Sequence, residues 1–168
     1  ISEIEIVPGR WGEKHYQALL TNYGKAPYFD RYKGWLKDIY HQNWKTLSEL
    51  NQTLIRTISR EYLEIGTRFA KSTEFTSHGK SSEKLLSLLR SIGATSYVSG
   101  PAAQSYMDLD AFSAAGIEVI WKDYHGYPAY EQLHEPFDPY VSILDVLYNT
   151  GPRAAELVWK WRQASGKV

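Results

Sequence analysis

The stretch TSYVSGPAAQSYM, residues 95–107, decides how this chain is read. Residues 95–99 have the pattern of a strand, Ser99-Gly100-Pro101 makes a turn, and small residues that tolerate a helix follow. Upstream, SSEKLLSLLRSIG predicts a helix with Ser81 or Ser82 as its cap and Gly93 as its stop. Downstream, residues 108–115 predict a short helix ended by Gly116, and residues 117–121 a strand. TRFAKS, residues 67–72, reads as one more strand ahead of them all. Strand, helix, strand, helix, strand is the order of a small parallel sheet with crossover helices, so the expected class is α/β.

In such a sheet ligands gather at the carboxyl ends of the strands, and helix amino termini there attract anions. SGPAA lies on that edge. Ser99 can cap, Gly100 lets backbone come close, and Pro101 opens the helix that carries Ala102. The turn has neither the glycines of a dinucleotide fingerprint nor the lysine of a P-loop. Its local chemistry fits a bare turn as well as a binding site.

Helices flank the sheet on both sides in sequence. Residues 11–23 carry Trp11, His15, Ala18, Leu19 and Asn22 at helical spacing, with Gly24 as a left-handed end. Residues 28–40 put Phe29, Tyr32, Leu36 and Ile39 on one face. A third helix starts at Thr46, whose partner Glu49 completes a capping box, and runs through Tyr62 to Gly66. After a long loop over residues 122–140, two helices close the chain, residues 142–149 and 152–164, the second with Pro152 at its first position.

Composition narrows the function. Lys plus Arg and Asp plus Glu number 19 each, which argues against nucleic-acid binding by bulk charge. The absence of cysteine removes disulfides and thiol chemistry, and fits a cytoplasmic protein better than a small secreted one. No apolar run approaches membrane-spanning length, so no membrane insertion is expected. With 13 Tyr and 6 Trp, the rings either fill a core or line a cleft for flat ligands. ISEIEIV alternates like a strand that lacks a partner, and implies residues ahead of Ile1.

Candidate chemistry is spread along the chain. Lys14-His15 puts an imidazole on the first helix, either as an acid–base group or as a structural one. Asp108-Leu-Asp110 resembles a metal-binding D-x-D, but helix capping explains it better. No ligand spacing for zinc or calcium occurs, and neither a metal site nor a cofactor is expected. KDYHGYPAYEQLHEPF is the densest run of polar groups and directly follows a strand: Asp123, at the strand's carboxyl end, can hold a hydroxyl or act as a base. Asp145 and Asn149 stand one helical turn apart, and Asn149-Thr-Gly is a helix stop.

Taken in order, Trp11 with Lys14-His15, KAPYF (25–29), LSELN (47–51), YVSGPAAQSY (97–106), Gly116-Ile117, WKDY (121–124), YEQL (130–133) and SILDVLYNTG (142–151) resemble the WbqC-like family of bacteria. Members carry, ahead of these stretches, a segment of the type Q-P-x-F-x-P-x-x-G-Y and an acidic D-D-V-Q-type run. The chain shows neither. It is therefore expected to form a single α/β domain over residues 1–168 that is the C-terminal part of a longer protein.

The resemblance implies a role in making bacterial surface polysaccharide such as O-antigen. It points to acyl or aminoacyl transfer onto a nucleotide-activated amino sugar as the small-molecule substrate. His15 and Asp123 are then the catalytic candidates. Lys14, the turn Ser99, Gly100, Pro101 and Ala102, and the downstream residues Tyr124, Tyr130, Gln132 and Asn149 are the ligand-binding candidates. The alternative is a non-catalytic nucleotide- or carbohydrate-binding module. The sequence leaves the oligomeric state open.

Overall fold

Apolar residues at helical spacing build three helices in the first part of the chain: α1 (Trp11–Tyr23), α2 (Phe29–His41) and α3 (Leu47–Thr57). The computed structural model describes residues 3–161. Its contacts group into two units, one of residues up to Thr67 together with those from Tyr127 on, the other from Arg68 to Gly126.

In the first unit α2 buries Phe29, Tyr32, Leu36 and Ile39, the face that the spacing predicts. Leu63, Leu147, Tyr148 and Ala154 join Phe29, Tyr32 and Leu36 in one core. Burying each Leu or Phe side chain stabilises by roughly 1.5–3 kcal/mol. The Tyr148 ring packs on Tyr23 and Phe29 at centroid distances of 5.0 and 5.1 Å. Its hydroxyl is buried with no hydrogen-bond partner among the described residues, which costs about 1–3 kcal/mol. Ring packing outweighs that cost, and burial pushes the phenol pKa up.

α1 and α2 pack closely because Gly12 has no side chain. A Cβ there would run into the Tyr40 carbonyl oxygen. Gly24, expected to be left-handed, has φ −59° and simply extends the turn by donating to Leu20 O. α3 begins with the reciprocal Thr46–Glu49 capping box, as its T-x-x-E predicts. It ends earlier than Gly66. Residues Ile58–Tyr62 widen into a π-type turn in which Leu63 N–H donates to Ile58 O, and Glu64 takes the left-handed conformation at φ 55°.

Among the described residues, the strand-like ISEIEIV makes a single antiparallel bridge, Glu5 to Thr46. Ile1 and Ser2 lie outside the described residues.

The second unit holds a two-stranded parallel sheet, β1 (Ser96–Ser99) and β2 (Glu118–Trp121), with Ser96 opposite Glu118 and Ser99 opposite Trp121. α4 (Ser81–Ser91) precedes β1, and α5 (Leu109–Ala114) lies in the crossover. Leu86, Leu89, Ala103, Met107, Phe112 and Ile117 form its core. Asp108 caps α5 through Ala111 N–H at 3.0 Å, so capping accounts for the D-x-D.

Three expectations fail in this unit. TRFAKS is not a strand: among the described residues it has no ladder partner, and the Thr67 carbonyl instead accepts from the Arg60 guanidinium at 2.9 Å. Neither Ser81 nor Ser82 caps α4, because the N-cap position falls on Lys80 and Ser81 sits at φ 48°. Ser99 does not cap either. It is the last residue of β1, Gly100 holds the cap position, and Pro101–Ser105 is a short 3-10 turn instead of an α-helix.

Residues 122–140 carry no helix or strand. α6 (Ile143–Thr150) comes next, with Ser142 capping Leu144 N–H. It stops at Gly151, whose φ of 56° and close packing against the Tyr28 ring both exclude a side chain. Pro152 then lies in a 3-10 turn (Gly151–Arg153) instead of opening a regular helix, and Glu156–Lys160 is again π-type. Residues 162–164 of the expected last helix lie outside the described residues.

Candidate active site

The parallel register brings the ends of β1 and β2 level. Lys122 N–H donates to Ser99 O at 2.7 Å, so the chain leaves both strands at one edge. On one side stands Ser99-Gly100-Pro101-Ala102, with Ser99 buried and Pro101 and Ala102 exposed. On the other stand Asp123, Tyr124 and His125. A Cβ on Gly100 would lie 3.5 Å from the Tyr124 hydroxyl, so that hydroxyl reaches across to the turn. The five-residue 3-10 turn supplies little of the helix dipole expected to draw an anion here.

Asp123 organises the residues just after it. Its Oδ1 accepts the His125 backbone N–H at 2.9 Å and lies 2.7 Å from His125 Nδ1. A carboxylate on Nδ1 places the proton there and leaves the lone pair of the neutral ring on Nε2. The pair stands at the surface, the Asp123 side chain 63% and the His125 side chain 98% exposed. An oriented imidazole of this kind can take a proton from an attacking amine or hydroxyl. The sequence by itself points to Asp123 alone as the base. The signal for His125 is the D-x-H spacing, which becomes a pair only when the backbone turns between the two residues.

The first unit holds a second polar cluster, centred on Asp145 of α6, which is 5% exposed. A buried carboxylate needs donors. Tyr130 hydroxyl donates to Asp145 Oδ1 at 2.6 Å and Gln132 Nε2 at 3.0 Å. Gln132 also donates to Asp138 O at 2.9 Å and accepts from Asp138 N–H at 2.7 Å. Asn149 Oδ1 accepts the Leu133 N–H, and its Nδ2 donates to Asp145 O at 2.9 Å, the contact expected one turn apart.

Tyr130, Gln132 and Asn149 are thus brought together, and the bonds they make pin the long loop to α6. Burial, then a hydrogen bond to Asp145, pushes the Tyr130 pKa up. Burial and then the Asp145 charge push Tyr23 up to about 12. Both phenols are neutral donors at neutral pH. Asp145 and Tyr23 lie outside the expected set; the signal for Asp145 is one carboxylate inside the otherwise apolar ILDVL.

Lys14 and His15 stay on the exposed part of α1. The His15 ring lies edge-on to Trp11 and Tyr40, each at 5.7 Å. His41, on α2, has polar partners at both ring nitrogens: Nδ1 is 2.7 Å from Lys37 O and Nε2 is 2.8 Å from Glu13. The expected site residues therefore fall into two sets. Lys14, His15, Tyr130, Gln132 and Asn149 belong to the first unit, and Ser99 to Ala102 with Asp123 and Tyr124 to the second.

Residues 1–157 match the WbqC-like protein family. A relative from Mycobacterium tuberculosis (strain ATCC 25618 / H37Rv), "Uncharacterized protein Rv1507c", is 42% identical over 154 residues, covering 91% of this chain. The chain spans 66% of that relative's length, just under two thirds. No solved structure matches. Among the described residues, no helix is long and apolar enough to cross a membrane.

Proposed function

Because the chain belongs to the WbqC-like protein family, we propose that it serves bacterial surface-polysaccharide synthesis as a cytoplasmic transferase. On this reading it acylates or aminoacylates the amine of a nucleotide-activated amino sugar. One observation carries the chemistry: the Asp123–His125 pair at the carboxyl ends of parallel strands, opposite the Ser99-Gly100 turn. That edge is where open α/β sheets bind ligands.

In the transfer, the amine nitrogen forms a bond to the acyl carbon, and the donor's carrier leaves with the electron pair of the broken bond. His125 Nε2 takes the amine proton and returns it to the departing carrier. Asp123 holds the ring in the required tautomer and stabilises the imidazolium. Gly100 and the Tyr124 hydroxyl border the space in which the sugar would lie. Lys14 and His15, with Tyr130, Gln132 and Asn149, belong to the first unit and are candidate ligand contacts within that unit by itself.

The exposure of His125 favours a second reading, a module that binds the nucleotide-sugar without changing it. One experiment separates the two. The full-length protein is incubated with nucleotide-activated amino sugars and acyl or aminoacyl donors, and the sugar is followed by mass spectrometry. A transferase adds the acyl mass, and Asp123→Ala or His125→Ala lowers the rate by about a hundredfold or more. Saturable binding with no mass gain supports the module. Full turnover in both variants sinks the assignment of the pair.

A further inference from the structure

A groove of about 540 Å³ lies in the second unit between residues 72–77 and the first turns of α4. Its volume falls within the roughly 300–1,000 Å³ of small-molecule sites. It shares no residue with the Ser99–His125 edge, and nothing in the proposed transfer uses it.

Hydroxyls dominate its polar lining: Ser72, Thr73, Thr76, Ser77 and Ser81. They differ from their neighbours on α4. Ser82 Oγ bonds Tyr106 O and Ser87 Oγ accepts from His78 N–H, whereas the lining hydroxyls have no protein partner among the described residues. Lys84 lines the same wall, and among the described residues no carboxylate pairs with it. Phe75, Leu85 and Leu88 complete the surface, and Phe75 is 37% exposed, high for a ring of its size.

No carboxylate lines the groove. That composition selects against a cationic ligand, which would meet hydroxyls and an ammonium but no negative charge. A neutral sugar would satisfy the hydroxyls and accept from Lys84, but would leave its charge unmatched and the apolar wall uncovered. An organic phosphate uses every part of the lining: its oxygens accept from several hydroxyls and from Lys84 in charge-assisted bonds. An apolar limb attached to the phosphate would cover Phe75, Leu85 and Leu88, gaining from the area removed from water.

We propose that this groove is a binding site for a soluble phosphate monoester carrying an apolar limb. The test uses the full-length protein and octyl phosphate as probe, at low ionic strength, read by calorimetry and by amide chemical-shift changes. Binding should perturb residues 72–77 and 81–88, and Lys84→Gln should weaken it about tenfold, the loss of one charge-assisted bond. Thr76→Val, which removes a hydroxyl while keeping its shape, should weaken it a few-fold. Lys84 is exposed, so the variant is expected to fold, and an unchanged circular-dichroism spectrum checks this.

Inorganic phosphate and octanol serve as half-probes and should each bind more weakly than the ester. Equal affinity for inorganic phosphate would overturn the role of the apolar wall. Equal affinity for octanol, or an affinity indifferent to Lys84→Gln, would overturn the role of the phosphate. Binding only to phosphatidylcholine vesicles doped with phosphatidic acid, and not to octyl phosphate, would overturn the soluble ligand. Turnover of amino sugars enters none of these readouts, so the groove can fail without the transferase reading failing, and the reverse.

Discussion

Asp145 and Asp123 are the same side chain put to opposite uses in the two units. Asp145 is buried on α6 of the first unit, and neutral donors from the loop that precedes the helix close on it. Asp123 stands in water at the end of β2 in the second unit and orients an imidazole that is itself almost fully exposed. Burial makes a carboxylate expensive, so its surroundings must be committed to satisfying it. Exposure removes that demand and leaves the carboxylate available to position a reacting group. In the first unit the carboxylate is thus part of the framework, whereas in the second it stands at an edge with the imidazole that it orients.

The sharpest way to break this contrast is Asp145→Ala. It leaves the Tyr130 hydroxyl without its acceptor and takes one acceptor from the Gln132 amide, which keeps Asp138 O, and should destabilise the fold by about 3 kcal/mol in urea unfolding. Asp145→Asn, which keeps one oxygen, should recover part of that loss. A loss below about 1 kcal/mol in the alanine variant would mean that the cluster is not a framework. Next in size is Gly151→Ala, where a left-handed backbone and the Tyr28 ring both resist a methyl group. About 2 kcal/mol is expected by the same measurement.

Thr46→Ala should cost about 1 kcal/mol by opening the capping box. That box has no counterpart on α4, where the Lys80 side chain caps nothing. Asp123→Ala should change stability by less than about 0.5 kcal/mol, as expected of an exposed side chain. A large loss there would place Asp123 in the framework and erase the contrast.

The smallest effect is the pH response of His41, which is exposed, and Glu13, which is half-buried. The Lys37 carbonyl, and then Glu13, raise the His41 pKa. A bond from Gln17, and then His41, lowers that of Glu13. The His41 contribution is fully present below the unfolded histidine value and is lost as pH rises through the raised folded value. The Glu13 contribution is present above the unfolded glutamate value and is lost as pH falls through the lowered folded one. Thermal melts of the protein and of His41→Asn should therefore differ most at mildly acidic pH and converge on the alkaline side.

Much of this architecture was legible in the residues. α1, the buried face of α2, the Thr46 box, the Asp108 cap, the start of α6 near Ser142 and the stop at Gly151 all arise from signals within one or two turns of chain. TRFAKS failed because a strand exists only with a ladder beside it, and short alternation says nothing about a partner. Asp123 was legible as a residue just past the carboxyl end of a strand; its bond to His125 was not, because i, i+2 side chains meet only in a particular turn.

The sequence alone determined where most helices start and stop, which residues belong to the WbqC-like pattern, and that polar groups crowd the loop after β2. These depend on local propensity, capping and order along the chain. Tertiary structure decided which polar groups became framework and which stayed at the surface. Tyr130, Gln132 and Asn149 close around Asp145 because burial there leaves a carboxylate no water to bond, and only packing settles which carboxylate is buried. The turn in TSYVSGPAAQSYM was written in its residues. Its place opposite Asp123 and His125 came from the parallel register of two strands nineteen or more residues apart, a distance over which local chemistry carries no information.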